Sequence, residues 1–156
     1  MMTTICLLAV SLVANAVRVA VPDQVDSPAT LVVDAAVSST SRDSASNVKY
    51  PVLCSTSCGV TIRSKRVGAP ISAFRIGILV VRPSGSFHLQ PRIVQPVARD
   101  QQGIDVAVTV QLDRLVGEQG AALVWLYLGE IRLGDGSQWT TDDNAVASQL
   151  MAIRIP

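Results

Sequence analysis

The sequence predicts an all-β domain, an antiparallel two-layer β-sandwich, and three observations carry that expectation. Residues 122–139 form an apolar strand pattern that runs into Asp135-Gly136 and closes on Trp139. Asp-Gly between extended segments marks a tight hairpin of the type I′ class, in which both central residues take positive φ. Residues 104–115 alternate cleanly, with Ile104, Val106, Val108, Val110 and Leu112 inward and Asp105, Thr109, Gln111 and Asp113 outward, as a strand between core and water requires. Finally, helix-favouring charged residues are scarce. Glu118 and Glu130 are the only glutamates and Lys49 and Lys65 the only lysines, while valine, isoleucine and threonine fill the segments. Such β-branched side chains lose rotamer freedom in helices and pack well on a pleated sheet.

Taken in order, residues 5–14 are small and apolar apart from Ser11, too short to span a bilayer and close in length to the apolar core of a secretory leader. Ala14-Asn15-Ala16 follows as a cleavage pattern, although Met1-Met2-Thr3-Thr4 carries no basic residue. Residues 1–16 are read as a signal peptide that contains Cys6. The stretch also suits a first buried strand, or a retained anchor if hydrophobicity continues past Arg18. An extended lead-in over 17–29 and a single β-sandwich domain over 30–156 complete the expected organisation.

Residues 30–37 predict a first strand, with Leu31, Val33, Ala35 and Val37 on one face, and the serine-rich 38–47 a connection. Residues 48–54 and 59–65 predict strands on either side of a C-S-T-S-C turn. With Cys6 removed, Cys54 and Cys58 remain as an even pair and predict a disulfide in an oxidising compartment. Three small intervening residues suit a tight turn. So short a loop removes little chain entropy, and the bridge should contribute less than the ~3 kcal/mol of a fifteen-residue loop, pinning a turn more than holding a fold.

Residues 73–82 carry Phe74, Ile76, Ile78 and Val80 on one face, with Leu79 and Val81 on the other, the pattern of a central strand. After the Pro83-Ser84-Gly85-Ser86 turn, Pro91 and Pro96 confine 87–97 to an edge strand or loop. Residues 122–133 are again apolar on both faces, which should bury Trp125 or Tyr127, before Glu130 and Arg132 return to solvent. Beyond Trp139, residues 140–144 suit the cap of a short helix over 145–151, although 149–155 alternates weakly as a strand. Strands at this spacing without a βαβ rhythm predict a sandwich of the immunoglobulin-like kind.

A chain of 156 residues fits one core that buries roughly two-thirds or more of its unfolded surface. Net charge is +1 and the signs alternate along the chain, which gives no electrostatic case for nucleic acid or anionic lipid. The one basic cluster, Arg63, Lys65 and Arg66, reads as a solvated edge guarded against strand pairing.

Few constellations could carry chemistry. His88, the only histidine, lies among prolines without a G-x-S-x-G elbow and reads as a structural or surface residue. Ser46 and Lys49 spell S-x-x-K in a serine-rich loop, without the helix that would let lysine activate serine. Cys54, Cys58 and His88 fall short of a zinc set. Asp135, Asp142, Asp143 and Asn144 offer oxygens for calcium, but they read as a turn aspartate and a helix-capping pair. Trp125, Tyr127 and Trp139 could form a sugar platform. With aromatics at 4% of the chain, the core has first claim on them.

The succession AFRIGILVV, VAVTVQLDRL and ALVWLYLGEIRLGDGSQW resembles small secreted or periplasmic bacterial proteins with an immunoglobulin-like β-sandwich and no assigned activity. The resemblance covers roughly 48–139 and implies fold more than function. The resulting expectation is a non-enzymatic exported module that binds a protein partner or serves the envelope as an accessory. It is secreted or periplasmic, with no catalytic residues, no metal, no cofactor, no nucleic acid and no stable membrane insertion after signal removal. A small secreted hydrolase or metal-dependent enzyme using His88 with aspartates of 135–143, and a carbohydrate-binding module using Trp125 or Trp139, are the alternatives.

Overall fold

The two longest doubly apolar runs become the two longest strands. Ile71–Val81 (β5) and Leu123–Leu133 (β9) pair antiparallel along nearly their whole length. The computed structural model describes residues 17–34, 52–54, 57–112 and 123–153. The expected signal peptide over 1–16, with Cys6, and the Ser46/Lys49 pair lie outside them.

Around β5 and β9 assemble β1 (Val17–Ala20), β3 (Val52–Cys54), β6 (Phe87–Pro91), β7 (Gln95–Pro96) and β10 (Gln138–Thr140). They form a seven-stranded sheet in the order β3-β1-β9-β5-β6, with β10 on β9 and β7 on β5. The second sheet, β2-β4-β8, consists of Ala29–Val33, Ser57–Ser64 and Asp105–Gln111. One short helix, α1 (Asp143–Ala152), follows β10, and the regular structure of the described residues is otherwise β.

The sheets share a core of Phe74, Ile76, Ile78, Val80, Val124, Leu126 and Leu128 against Leu31, Val60, Ile62, Val106 and Val110. On the opposite face of the large sheet, Ala20, Leu79, Trp125 and Tyr127 pack beneath Val146, Ala147 and Leu150 of α1. That roof explains why β5 and β9 read as apolar on both faces: neither face meets water. Trp125 is 4% exposed and Tyr127 0%. The predicted helix starts where Asp142 accepts hydrogen bonds from the backbone N–H groups of Asn144 and Ala145, as an N-cap should.

Several expectations are corrected. The sandwich is not wholly antiparallel, because β1 runs parallel to β9, pairing Val19 with Val124 and Ala20 with Trp125. Val17–Ala20, within the expected lead-in, is thereby an inner strand of the large sheet. Where β1 ends, the Gln24 amide continues its role, donating to the Leu128 carbonyl at 2.9 Å and accepting from the Leu128 N–H at 2.8 Å. β4 is no edge, since β2 and β8 flank it, and Arg63 pairs across the strands with Asp105 at 2.8 Å. Their mutual hydrogen bond holds the Asp105 carboxyl below its ordinary range, against a smaller opposing effect of desolvation. Ile104 is exposed because β8 begins one residue after it.

The Asp-Gly hairpin forms, but by another route. Gly136 has φ +87°, and no non-glycine among the described residues has positive φ, so Asp135 cannot occupy a type I′ turn. The Gly136 N–H donates to the Leu133 carbonyl and the Leu133 N–H to that of Ser137. This is a three-residue loop, a type I turn followed by a left-handed glycine. Residues 82–86 repeat it, with Gly85 also at φ +87°.

A bulge at Gly129 corrects the last expectation. Arg75 pairs with Glu130 and Ile76 with Leu128, leaving Gly129 extra, so the strand changes phase there. Ile131 and Leu133 stay in the inter-sheet core, while Glu130 is buried rather than solvated. Gln138 donates to its Oε1 at 3.1 Å, and Oε2 lies 3.0 Å from Arg132 Nε. That geometry is an ion pair without an aligned hydrogen bond to Oε2.

Candidate functional site

Among the described residues, three local arrangements bring chemistry-bearing side chains together. The first is at the end of the sandwich where the β4–β5 connection, the β9–β10 hairpin and the β1–β2 connection meet. Asp26, Pro28, Lys65, Arg66, Ser137, Gln138 and Trp139 line a cleft of about 240 Å³ there. Two other cavities, of about 10 and 20 Å³, hold no more than a water molecule.

Backbone features fix this end. Gly68 turns the chain at φ +76°, and Ser64 Oγ braces the Arg66 backbone. The Lys65 N–H donates to the Pro28 carbonyl, and the Gly134 N–H to that of Pro70. Asp135 folds back onto Ser137, accepting from its backbone N–H at 2.9 Å and its hydroxyl at 2.5 Å. Those two bonds, the hydroxyl first, hold the Asp135 carboxyl below its ordinary range. Arg66 donates to Ser137 Oγ at 3.2 Å and lies 3.8 Å from Asp135. Among the described residues, Lys65 Nζ reaches only the Gln24 and Val25 carbonyls, both at 3.4 Å. Trp139 is half-buried, packing against the core while lining the cleft. Val25 and Val67, beside the cleft residues, are 80% and 100% exposed.

The second arrangement fastens the helix to the large sheet. Arg75 Nη1 donates to both Asp143 oxygens at 2.9 Å, Arg75 Nη2 to the Gly129 carbonyl at 3.1 Å, and the Tyr127 hydroxyl to Asp143 Oδ1 at 2.7 Å. Two glycines make room for it. A Cβ at Gly77 would overlap the Tyr127 ring, and one at Gly129 would lie 2.5 Å from Arg75 Cζ. Gly77→Ala should therefore destabilise the domain by about 1–3 kcal/mol, the usual range for overpacking. Chemical denaturation checks this, and in the double variant with Tyr127→Ala the alanine should cost far less.

Burial, then the hydrogen bond to Asp143 and its negative charge, push the Tyr127 phenol well above its ordinary value of 10.0, with Arg75 opposing. The folded state therefore holds this proton more tightly than the unfolded state. The associated stability is fully present below about pH 10 and is lost as pH rises further. Denaturant titrations at stepwise higher pH should show a decline that Tyr127→Phe reduces.

The third is the cysteine pair. Cys54 and Cys58 sit at disulfide distance, with Cα atoms 5.5 Å apart. They do not flank a hairpin: Cys54 ends β3 in the large sheet, and Cys58 lies in β4 of the small one. Both are buried in the shared core, so the pair ties the two sheets at one corner.

The structure separates the residues weighed for catalysis. His88 is exposed on β6 opposite Val80. Asp142 caps the helix, Asp143 serves Arg75 and Tyr127, and Asp135 serves Ser137. No group of three or more His, Cys, Asp or Glu among the described residues could hold a metal ion. The two tryptophans also part, Trp125 beneath the helix and Trp139 at the cleft.

No family model matches the chain, and neither does any curated protein or solved structure. Among the described residues, no helix is long and apolar enough to cross a membrane.

Proposed function

We propose that the chain is a non-enzymatic exported module that binds a component of the cell envelope or its surroundings through the Trp139 end. The carrying observation is the cleft itself. It brings an aromatic ring, two cations and a carboxylate together, and exposed Val25 and Val67 stand beside it. Tryptophan and arginine in a recess with apolar neighbours are what contact surfaces use. Export is supported by the 5–16 sequence pattern and by Cys54 and Cys58 at disulfide distance. The immunoglobulin-like variant of the sandwich is part of the proposal, supported by the chain's repeated passage between two facing sheets.

Site-specific photocrosslinking in the native host tests this reading. A crosslinker in place of Val67 should give a discrete adduct that Arg66→Glu abolishes. The same group in place of Val32, on the outer face of the small sheet, should give none. No adduct from position 67, or equal adducts from both positions, would overturn it.

A further inference from the structure

We infer that the Trp139 cleft is a binding site for a neutral saccharide unit, an inference that rests on this end being the contact surface. The charges at the cleft balance. Lys65 and Arg66 supply two positive charges, while Asp26 in the lining and Asp135 beside Arg66 supply two negative ones. The local sum is zero, and a cleft without a net field has no means of concentrating a polyanion or an acidic peptide.

What it offers instead is a dense mixture of donors and acceptors. Among the described residues Lys65 Nζ makes only two long contacts to carbonyls, which leaves an ammonium group able to donate to a ligand. Asp26 meets no donor among the described residues, so its oxygens accept freely. Gln138 commits its amide N–H to Glu130, and its carbonyl oxygen remains an acceptor. A hydroxyl uses both kinds of partner at a single atom, because it donates and accepts at once.

Trp139 supplies the remaining element. Sugar rings present a face of C–H groups with hydroxyls around the rim, and an indole beside polar groups matches that division. The cleft's 240 Å³ suits one or two small rings rather than a long chain. Trp125, the other tryptophan, is buried beneath α1 and takes no part.

Calorimetric titration of the folded domain with a panel of neutral hexose and N-acetylhexosamine disaccharides tests the inference, with a tetra-aspartate peptide as the anionic control. At least one disaccharide should bind and the peptide should not. Trp139→Ala should weaken that binding about tenfold or more, while Trp139→Phe retains most of it. Asp26→Ala, at an exposed position away from the core, should also weaken it and keeps the test valid should Trp139→Ala fold poorly. Binding of no disaccharide, binding of the peptide alone, or sugar binding indifferent to both Trp139→Ala and Asp26→Ala would each overturn the inference. If no sugar binds while the Val67 adduct persists, only the ligand class is wrong. Loss of both removes the contact surface as well.

Discussion

Trp125→Ala is expected to destabilise the domain by ~3–5 kcal/mol, the range for removing a large aromatic from a core. Trp125 lies on the helix-facing side of β9, 4% exposed among Ala20, Leu79, Val146, Ala147 and Leu150. The cavity would open between a sheet and a ten-residue helix. A helix this short depends on packing to persist, so the variant should also lose helical circular dichroism at lower denaturant than the wild type. A melting temperature equal to wild type would place the ring outside the core.

Asp143→Ala is the second large effect, about 3 kcal/mol, at the lower end for breaking a buried pair because the side chains keep 15% and 23% of their exposure. The substitution strips the carboxylate from Arg75 and the acceptor from the Tyr127 hydroxyl, leaving a mostly buried cation with the Gly129 carbonyl but no counter-charge, and a buried phenol whose acceptor is gone. It also removes the negative charge at the first turn of α1, where the helix dipole favours one. Asp143→Asn keeps an acceptor for Tyr127 and should cost less. Equilibrium unfolding in urea distinguishes the two. If the alanine variant is as stable as the wild type, the triad does not fasten the helix.

Much of the fold was legible in the residues because burial imposes simple periods. β5, β8, β9, the edge position of 87–97 and the short terminal helix all follow from alternation, proline placement and a capping aspartate. The parallel β1–β9 contact was not legible, since four residues carry no register of their own and pairing direction is decided by the neighbouring strands. The sheet-to-sheet step at Cys54 and Cys58 was hidden likewise, because spacing gives reach but not the sheet to which each strand goes. Glu130 misled by its charge: the Gly129 bulge re-aims it, and a mid-strand glycine was the available hint. Arg75, Gly77 and Gly129 offered similar hints of the helix clamp. They became a site only once Asp143 met Arg75, 68 residues away in the chain. At the cleft, Arg66, Lys65 and Trp139 were each visible, but their juxtaposition depends on two loops meeting at one end of the sandwich.

A β5–β9 core, covered on both faces, carries the stability and leaves the Trp139 end as the proposed contact surface. Native-state amide hydrogen exchange tests it most directly, because local openings and global unfolding give different protection. The amides of Ile78, Val80, Leu126 and Leu128 should exchange only through global unfolding, and those of Val67 and Asp135 far faster. Protection at Val67 and Asp135 as complete as at Leu126, or exchange of the β9 amides through local opening, would contradict the account.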